Sequence, residues 1–269
     1  MLGDALERGE GPLLVAWRGQ ALWLTFNRPE ALNPLGSATV AALDGLLDAI
    51  EAAERRPAAL VVTGAGRAFS AGGDLAEMRA EDGSFRSAAP LFRAISRTLS
   101  RMAALDLPVI AAVNGLCVAG GLEVALACDI VCAVESARFG DGHANFGLLP
   151  GGGGSVRLAR AIGAKRAKLM MFSGDLYPAR RMEAWGLVDL LVPDGGLEEA
   201  VEGLAAGFAR KSPLGLARMK ALVDGGLELP LDRALAEELE VCEAHDASYD
   251  RNEGLKAFAE KRRPAFRGR

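Results

Sequence analysis

The sequence predicts an α/β fold, and three observations carry that expectation. Short apolar runs recur along the first two thirds of the chain, segments with helical spacing separate them, and beyond Pro193 helical segments follow one another without a strand. "LLVAW" and "ALWLTF", on either side of "RGQ", read as an opening β-hairpin because β-forming residues flank a glycine-containing connector. From Ser37 to Ala53, Val40, Leu43, Leu46, Leu47 and Ile50 recur at intervals of three and four, which places them on one face of a helix. "AALVVTG" (58–64), "PVIAAVNG" (108–115), "DIVCAV" (129–134) and "GLVDLLV" (186–192) read as buried strands. Helical stretches lie between them, including Leu91 to Leu105 and "GLEVALA". The last three helical segments are "LEEAVEGLAAGFAR", "PLGLARMKALV" and "LDRALAEELEVCEAHD". The chain is therefore expected to divide into a strand-and-helix core, 1–193, and a helical region, 194–269, that covers the core or meets another subunit. The basic tail "EKRRPAFRGR" reads as a solvated end.

Composition narrows the function classes. Apolar residues make up 50% of the 269 and charged residues 25%, a globular balance. The net charge of −4, with basic residues scattered, supplies no field for nucleic acid. No uninterrupted apolar stretch is long enough for a membrane span, and the acidic N-terminus has no secretory h-region, so a cytoplasmic protein is expected. Cys117, Cys128, Cys132 and Cys242 do not pair at zinc-ligand spacing and are expected to be buried, reduced thiols.

The four-glycine run in "RFGDGHANFGLLPGGGG" (138–154) invites a phosphate-loop reading, but it lacks the lysine of a P-loop and the strand of a dinucleotide fingerprint. It is expected to be a close-packed turn. Two other loops carry a sharper signal. "GRAFSAGGDL" (66–75) and "VNGLCVAGGLEVALACDI" (113–130) each place glycines just beyond an apolar strand. Gly120 and Gly121 open a helical stretch, where backbone N–H groups lack partners. If the loops converge, the N–H groups of Ala71 and Gly120 form a pair of the kind that stabilises charge on a carbonyl oxygen. Glu123, in the first turn of that helix, is favoured as a carboxylate by the macrodipole and is the candidate base.

Taken in order, these motifs resemble the enoyl-CoA hydratase and isomerase family, the crotonase superfamily, along nearly the whole chain. "NRPEALNPL" (27–35) is similar to the family's nucleotide-side loop, "FSAGGDL" to its first oxyanion segment, and "PVIAAVNGLCVAGGLEVALACDI" to its second, with the first catalytic glutamate. "GLLPGGGGSVRLAR" is similar to the loop and helix after the second catalytic position, and "EGLKAFAEKRRPAF" (253–266) to the closing helix. The resemblance implies a crotonase-like spiral of repeated ββα units with a C-terminal helical region, a trimer or pair of trimers, and acyl-CoA thioester substrates. It implies no metal or redox cofactor, CoA entering as part of the substrate. Ala71 and Gly120 would hold the thioester oxygen, and Glu123 would be the first acid/base. Arg28, Glu30, Ala31, Leu32, Gly72, Gly73, Asp74 and Lys261 would join Ala71 and Gly120 in binding CoA and the acyl group.

One position departs from the family. Where its hydratases carry a glutamate in a pattern like F-G-x-P-E, this chain has Phe139, Gly140, Asp141, Gly142 and His143. A histidine with an ordinary pKa of about 6.5 can also exchange protons near neutrality, so His143 is the second candidate acid/base. Asp141 could orient its ring or substitute for the missing carboxylate. The other histidine, His245, is explained by a favourable interaction with a helix end. Hydration of a 2-enoyl thioester is the leading expectation. Double-bond isomerisation, thioester hydrolysis, retro-aldol cleavage and CoA-thioester binding without turnover remain as alternatives.

Overall fold

The computed structural model describes residues 6–80 and 82–269. The opening hairpin forms as expected, β1 (Leu13–Arg18) antiparallel to β2 (Ala21–Phe26), with Gly19 at φ +60° in the turn. α1 (Ser37–Ala52) buries Val40, Leu43, Leu46, Leu47 and Ile50, the stripe that the spacing marks. Three strand–strand–helix units follow: β3 (Ala59–Gly64), β4 (Ala68–Ser70) and α2 (Ala89–Ala103); β5 (Val109–Val113), β6 (Leu116–Val118) and α3 (Gly120–Leu126); then β7 (Ile130–Val134), β8 (Arg138–Gly140) and α4 (Gly154–Ile162). α5 (Ala164–Ser173), β9 (Tyr177–Pro178), α6 (Ala179–Trp185) and β10 (Leu190–Val192) complete the strand-bearing part.

The long strand of each unit enters one sheet and the short strand a second. The first sheet runs β1-β2-β3-β5-β7-β10, parallel from β2 onward, and the second β4-β6-β8-β9. At the corners between them, backbone lies on backbone. A Cβ at Gly64 would overlap the Ala68 carbonyl, and one at Gly115 the Arg67 carbonyl, so both positions require glycine. Asn114 ties the corner, donating from Nδ2 to the Gly64 and Gly66 carbonyls at 2.7 and 2.9 Å.

Several expectations change. β10 covers only the end of the run 186–192, because Gly186, at φ +87°, caps α6 and Asp189 turns back to the Val131 N–H. Of the cysteines, Cys117 and Cys132 are buried, Cys128 is half-buried and Cys242 is exposed on a helix that packs little of its surface. Helix α7 (Leu197–Phe208) sends Leu197, Val201 and Ala205 into the same hydrophobic core as the sheets, while α8 (Pro213–Gly226), α9 (Leu231–Asp246) and α10 (Tyr249–Ala259) extend from it. The basic tail is anchored, in contrast to the solvated end expected. Buried Asp250 accepts the N–H groups of Arg267 (2.7 Å) and Gly268 (3.1 Å) and the Ser212 hydroxyl (2.6 Å), and Arg262 pairs with Glu253 at 2.5 and 3.0 Å. That pairing and the Ala265 N–H hold the Glu253 carboxyl down at about 2. His245 is engaged from its side: its Nδ1 accepts from Arg218 at 2.9 Å, since a guanidinium can only donate. Among the described residues no helix is long and apolar enough to cross a membrane.

Candidate functional site

Strands β4, β6 and β8 are parallel neighbours in the second sheet, so the residues that follow them emerge side by side. These are Ala71 after Ser70, Ala119 after Val118, and Asp141 after Gly140. Together with the loop before α4 they line an open recess with a cavity volume of about 90 Å³. Gly73, Gly120, Glu123, His143 and Gly152 supply its polar lining; Leu75, Met78, Phe92, Ile95 and Leu148 supply its apolar lining.

Glu123 is 3% exposed, and its Oε1 accepts the N–H groups of Gly152 at 2.6 Å and Gly154 at 2.9 Å. The four-glycine run is therefore an anion cradle as well as a turn, and the anion is the protein's own carboxylate. A side chain at Gly152 would displace the base: its Cβ would stand 2.8 Å from Glu123 Oε2. Burial pushes the Glu123 carboxyl up from its ordinary value; the two glycine N–H groups and the nearby His143 pull it partly back, and Asp141 opposes them. Desolvation thus works against the preference of the helix dipole for the ionised form, which makes the carboxylate a stronger base. Oε2 makes none of these backbone bonds and is the oxygen left to act.

His143 opens a 3-10 turn, His143–Phe146, with its side chain 12% exposed. Its backbone N–H donates to Asp141 Oδ1 at 3.3 Å, and its Nδ1 lies 3.2 Å from the same oxygen, close enough for strong attraction but off the line of a good hydrogen bond. Burial works against the charged ring, yet Asp141 and then Glu123 outweigh it, so the His143 pKa is raised. Asp141 is itself 2% exposed.

The unengaged N–H groups at the recess include a different residue from the one expected. The Ala71 N–H is engaged by the Leu32 carbonyl at 2.9 Å, and the Gly72 N–H by Ser70 Oγ at 3.3 Å. The N–H groups of Gly73 and Gly120 have no partner among the described residues, and both residues line the recess. The turn at Gly72, φ +104°, reverses the chain between Ala71 and Gly73. Ala119, at φ 51° and ψ −118°, is a strained non-glycine conformation that starts α3 one residue later, at Gly120. The loops pack so tightly that a Cβ at Gly72 would lie 2.7 Å from that of Ala119.

The other expected binding residues lie outside the lining. Arg28 is paired with Asp74 at 2.5 Å, and Asp74 Oδ1 accepts the Ala76 N–H at 3.2 Å, so both stabilise the loop. Glu30 and Ala31 are exposed in a short 3-10 turn, Leu32 is half-buried at φ 61°, and Lys261 is exposed beyond α10 at φ 53°. Asn33 was the residue to single out in this loop. It is 1% exposed, sits at φ 57°, donates to the Ala65 and Ala68 carbonyls at 2.9 and 2.8 Å, and accepts the Arg28 N–H at 2.9 Å. Asparagine tolerates left-handed backbone, and that is the one signal the linear sequence holds.

The profile of the family described as enoyl-CoA hydratase/isomerase matches residues 19–269, nearly the full chain and every segment of the site. The chain belongs to the enoyl-CoA hydratase/isomerase family. Relatives of that family include 2,3-dehydroadipyl-CoA hydratase of Escherichia coli K12, 40% identical over 258 residues that cover 96% of this chain and 99% of that protein. Short-chain-enoyl-CoA hydratase of Clostridium acetobutylicum is 34% identical over 247 residues, 91% of this chain and 93% of the other. Among solved structures, enoyl-CoA hydratase from Bacillus anthracis superposes with a TM-score of 0.90 at 33% identity, covering 96% of this chain and 100% of its own. The Mycobacterium smegmatis enoyl-CoA hydratase gives 0.89 at 32% identity, over 96% and 99%. These neighbours share the ββα spiral of the family, and the mixed two-sheet architecture with its C-terminal helices is that fold.

Proposed function

We propose that the protein is an enoyl-CoA hydratase, adding water across the double bond of a 2-enoyl-CoA through an oxyanion-stabilised enolate. The observation that carries this reading is the recess itself, where two unengaged N–H groups, Gly73 and Gly120, line the same space as Glu123 and His143. The thioester carbonyl oxygen accepts from both donors, so negative charge that develops there meets fixed dipoles already in place. Glu123 Oε2 takes a proton from water as its oxygen bonds to the β-carbon. The imidazolium of His143 gives a proton to the α-carbon as the enolate collapses. One O–H bond breaks, one C–O and one C–H bond form, and a proton passing from Glu123 back to His143 restores both groups. The reaction is redox-neutral and needs no group beyond these.

The CoA portion is assigned to the loop Arg28–Leu32 and to the backbone of Ala71 to Asp74, with Lys261 as the cation from the C-terminal region. The acyl chain follows the apolar lining. For assembly we infer a homotrimer or a dimer of trimers. Large apolar side chains stand exposed in the loop before α4 (Leu149, 79%), on α5 (Phe172, 76%), at the C-terminal cap of α8 (Leu227, 74%) and at the start of α9 (Leu231, 75%). Cytoplasmic residence suits such a substrate. The test is a panel of short, medium and aromatic enoyl-CoA thioesters followed by loss of the conjugated enoyl absorbance. Turnover of at least one, lost in Glu123→Gln, is expected; binding of CoA thioesters with turnover of none overturns the proposal.

A further inference from the structure

We infer that Asp141 is a positioning residue for the proton donor: its carboxylate holds His143 with Nδ1–H turned into the wall, which leaves Nε2 as the ring nitrogen for the recess. The inference rests on the hydratase reading only for the identity of the reaction.

The geometry has three parts. Asp141 follows the last residue of β8, and Oδ1 meets His143 twice, at the backbone N–H (3.3 Å) and at Nδ1 (3.2 Å), so the loop and the ring are held by one oxygen. The ionisable groups that raise the proton affinity of the ring are Asp141, from the loop after β8, and Glu123, from α3, both carboxylates. Both therefore favour the imidazolium, the form with a proton to give. Finally, Asp141 Oδ2 is buried and has no partner among the described residues. A carboxylate only 2% exposed with one oxygen unsatisfied is a poor structural element, because removing it from water costs more than its bonds return. Its placement is explained by what it does to His143.

A structural aspartate would be missed by the fold. Asp141 should be dispensable for stability and needed for the ring's proton affinity. His143 and His245 are the chain's two histidines, so His245→Gln leaves one imidazole whose proton resonances can be followed against pH in the intact protein.

The experiment compares that background with the same protein carrying Asp141→Asn, reading the His143 titration, the melting temperature, and kcat and KM for the best enoyl thioester. The His143 titration is expected to move down by about one pH unit or more, as when a carboxylate within ~4–6 Å is removed. The melting temperature should hold within a few degrees or rise. kcat should fall at least about tenfold with KM little changed, since the lost contribution acts on the transition state. Asp141→Glu, which keeps the charge, should restore part of the titration shift. An unchanged His143 titration in Asp141→Asn overturns the inference, and so does a large drop in melting temperature with kcat per folded molecule intact. If the titration moves and yet the background protein hydrates no enoyl thioester, the positioning of His143 by Asp141 stands and the hydratase reading fails.

Discussion

Replacing Gly152 by alanine isolates the cradle that holds Glu123. Gly152 does not occupy the left-handed region, so its backbone accepts a side chain; what does not is the space beyond it. The new Cβ would stand 2.8 Å from Glu123 Oε2, 3.0 Å from its Cδ and 3.0 Å from Ile95 Cγ2. Against the ~3.5 Å of an unstrained carbon contact, the carboxyl must retreat by about 0.5 Å. That motion also stretches the 2.6 Å bond from the Gly152 N–H. A misplacement of ~1 Å costs about a hundredfold in rate, so half of it should cost roughly tenfold in kcat. The assay is steady-state loss of enoyl absorbance beside thermal melting, with Gly153→Ala as the contrast. Gly153, at φ +108°, needs glycine for its backbone and should lose stability by about 1–2 kcal/mol. A Gly152→Ala enzyme with kcat within about twofold of the wild type refutes the claim that the glycine run positions the base.

The remaining predictions concern pH, the loop before α1 and the thiols. Because the His143 pKa is raised, the folded protein keeps the ring protonated at pH values where a free imidazole has lost its proton. Activity should therefore persist above pH ~6.5 and fall as pH rises through the raised value, so a kcat–pH profile flat across the alkaline range would contradict the role of His143 as donor. Asn33→Ala removes three hydrogen bonds and leaves the buried Ala68 carbonyl without its Asn33 donor. It should lower stability by about 2–4 kcal/mol in denaturant melts and raise KM through the loop that holds Ala71. Ellman's reagent should titrate Cys242 promptly in the native protein, while Cys117 and Cys132 wait for unfolding; prompt reaction of all four would contradict their burial.

What could be read in the sequence was set by range. The hairpin and the buried stripe of α1 are local patterns, and they stand where the residue spacing puts them. β4, β6 and β8 are three residues each, too short to show a period, and only the family resemblance supplies them. The proton-transfer candidates, Glu123 and His143, were legible as residue types beside glycine turns. Their environment was not. The cradle joins Glu123 to glycines 29 and 31 positions away, and no local pattern encodes that contact. Desolvation of Glu123 depends on α2 and the glycine loop closing over it, while the linear sequence shows only the helix start. The choice of Gly73 over Ala71 turns on one carbonyl, that of Leu32, reaching across from a loop nearly forty residues earlier.

The central claim is that Glu123 delivers the oxygen of water to the β-carbon and His143 delivers a proton to the α-carbon. Incubating the wild-type protein with a 2-enoyl-CoA in deuterated, heavy-oxygen water and analysing the product by mass spectrometry and NMR tests both halves at once. The account predicts a 3-hydroxyacyl-CoA with one heavy oxygen at the β-carbon and one deuterium at the α-carbon, its formation cut at least about a hundredfold in both Glu123→Gln and His143→Ala. An unlabelled acyl chain, label at another carbon, or His143→Ala forming the product at the wild-type rate would contradict it.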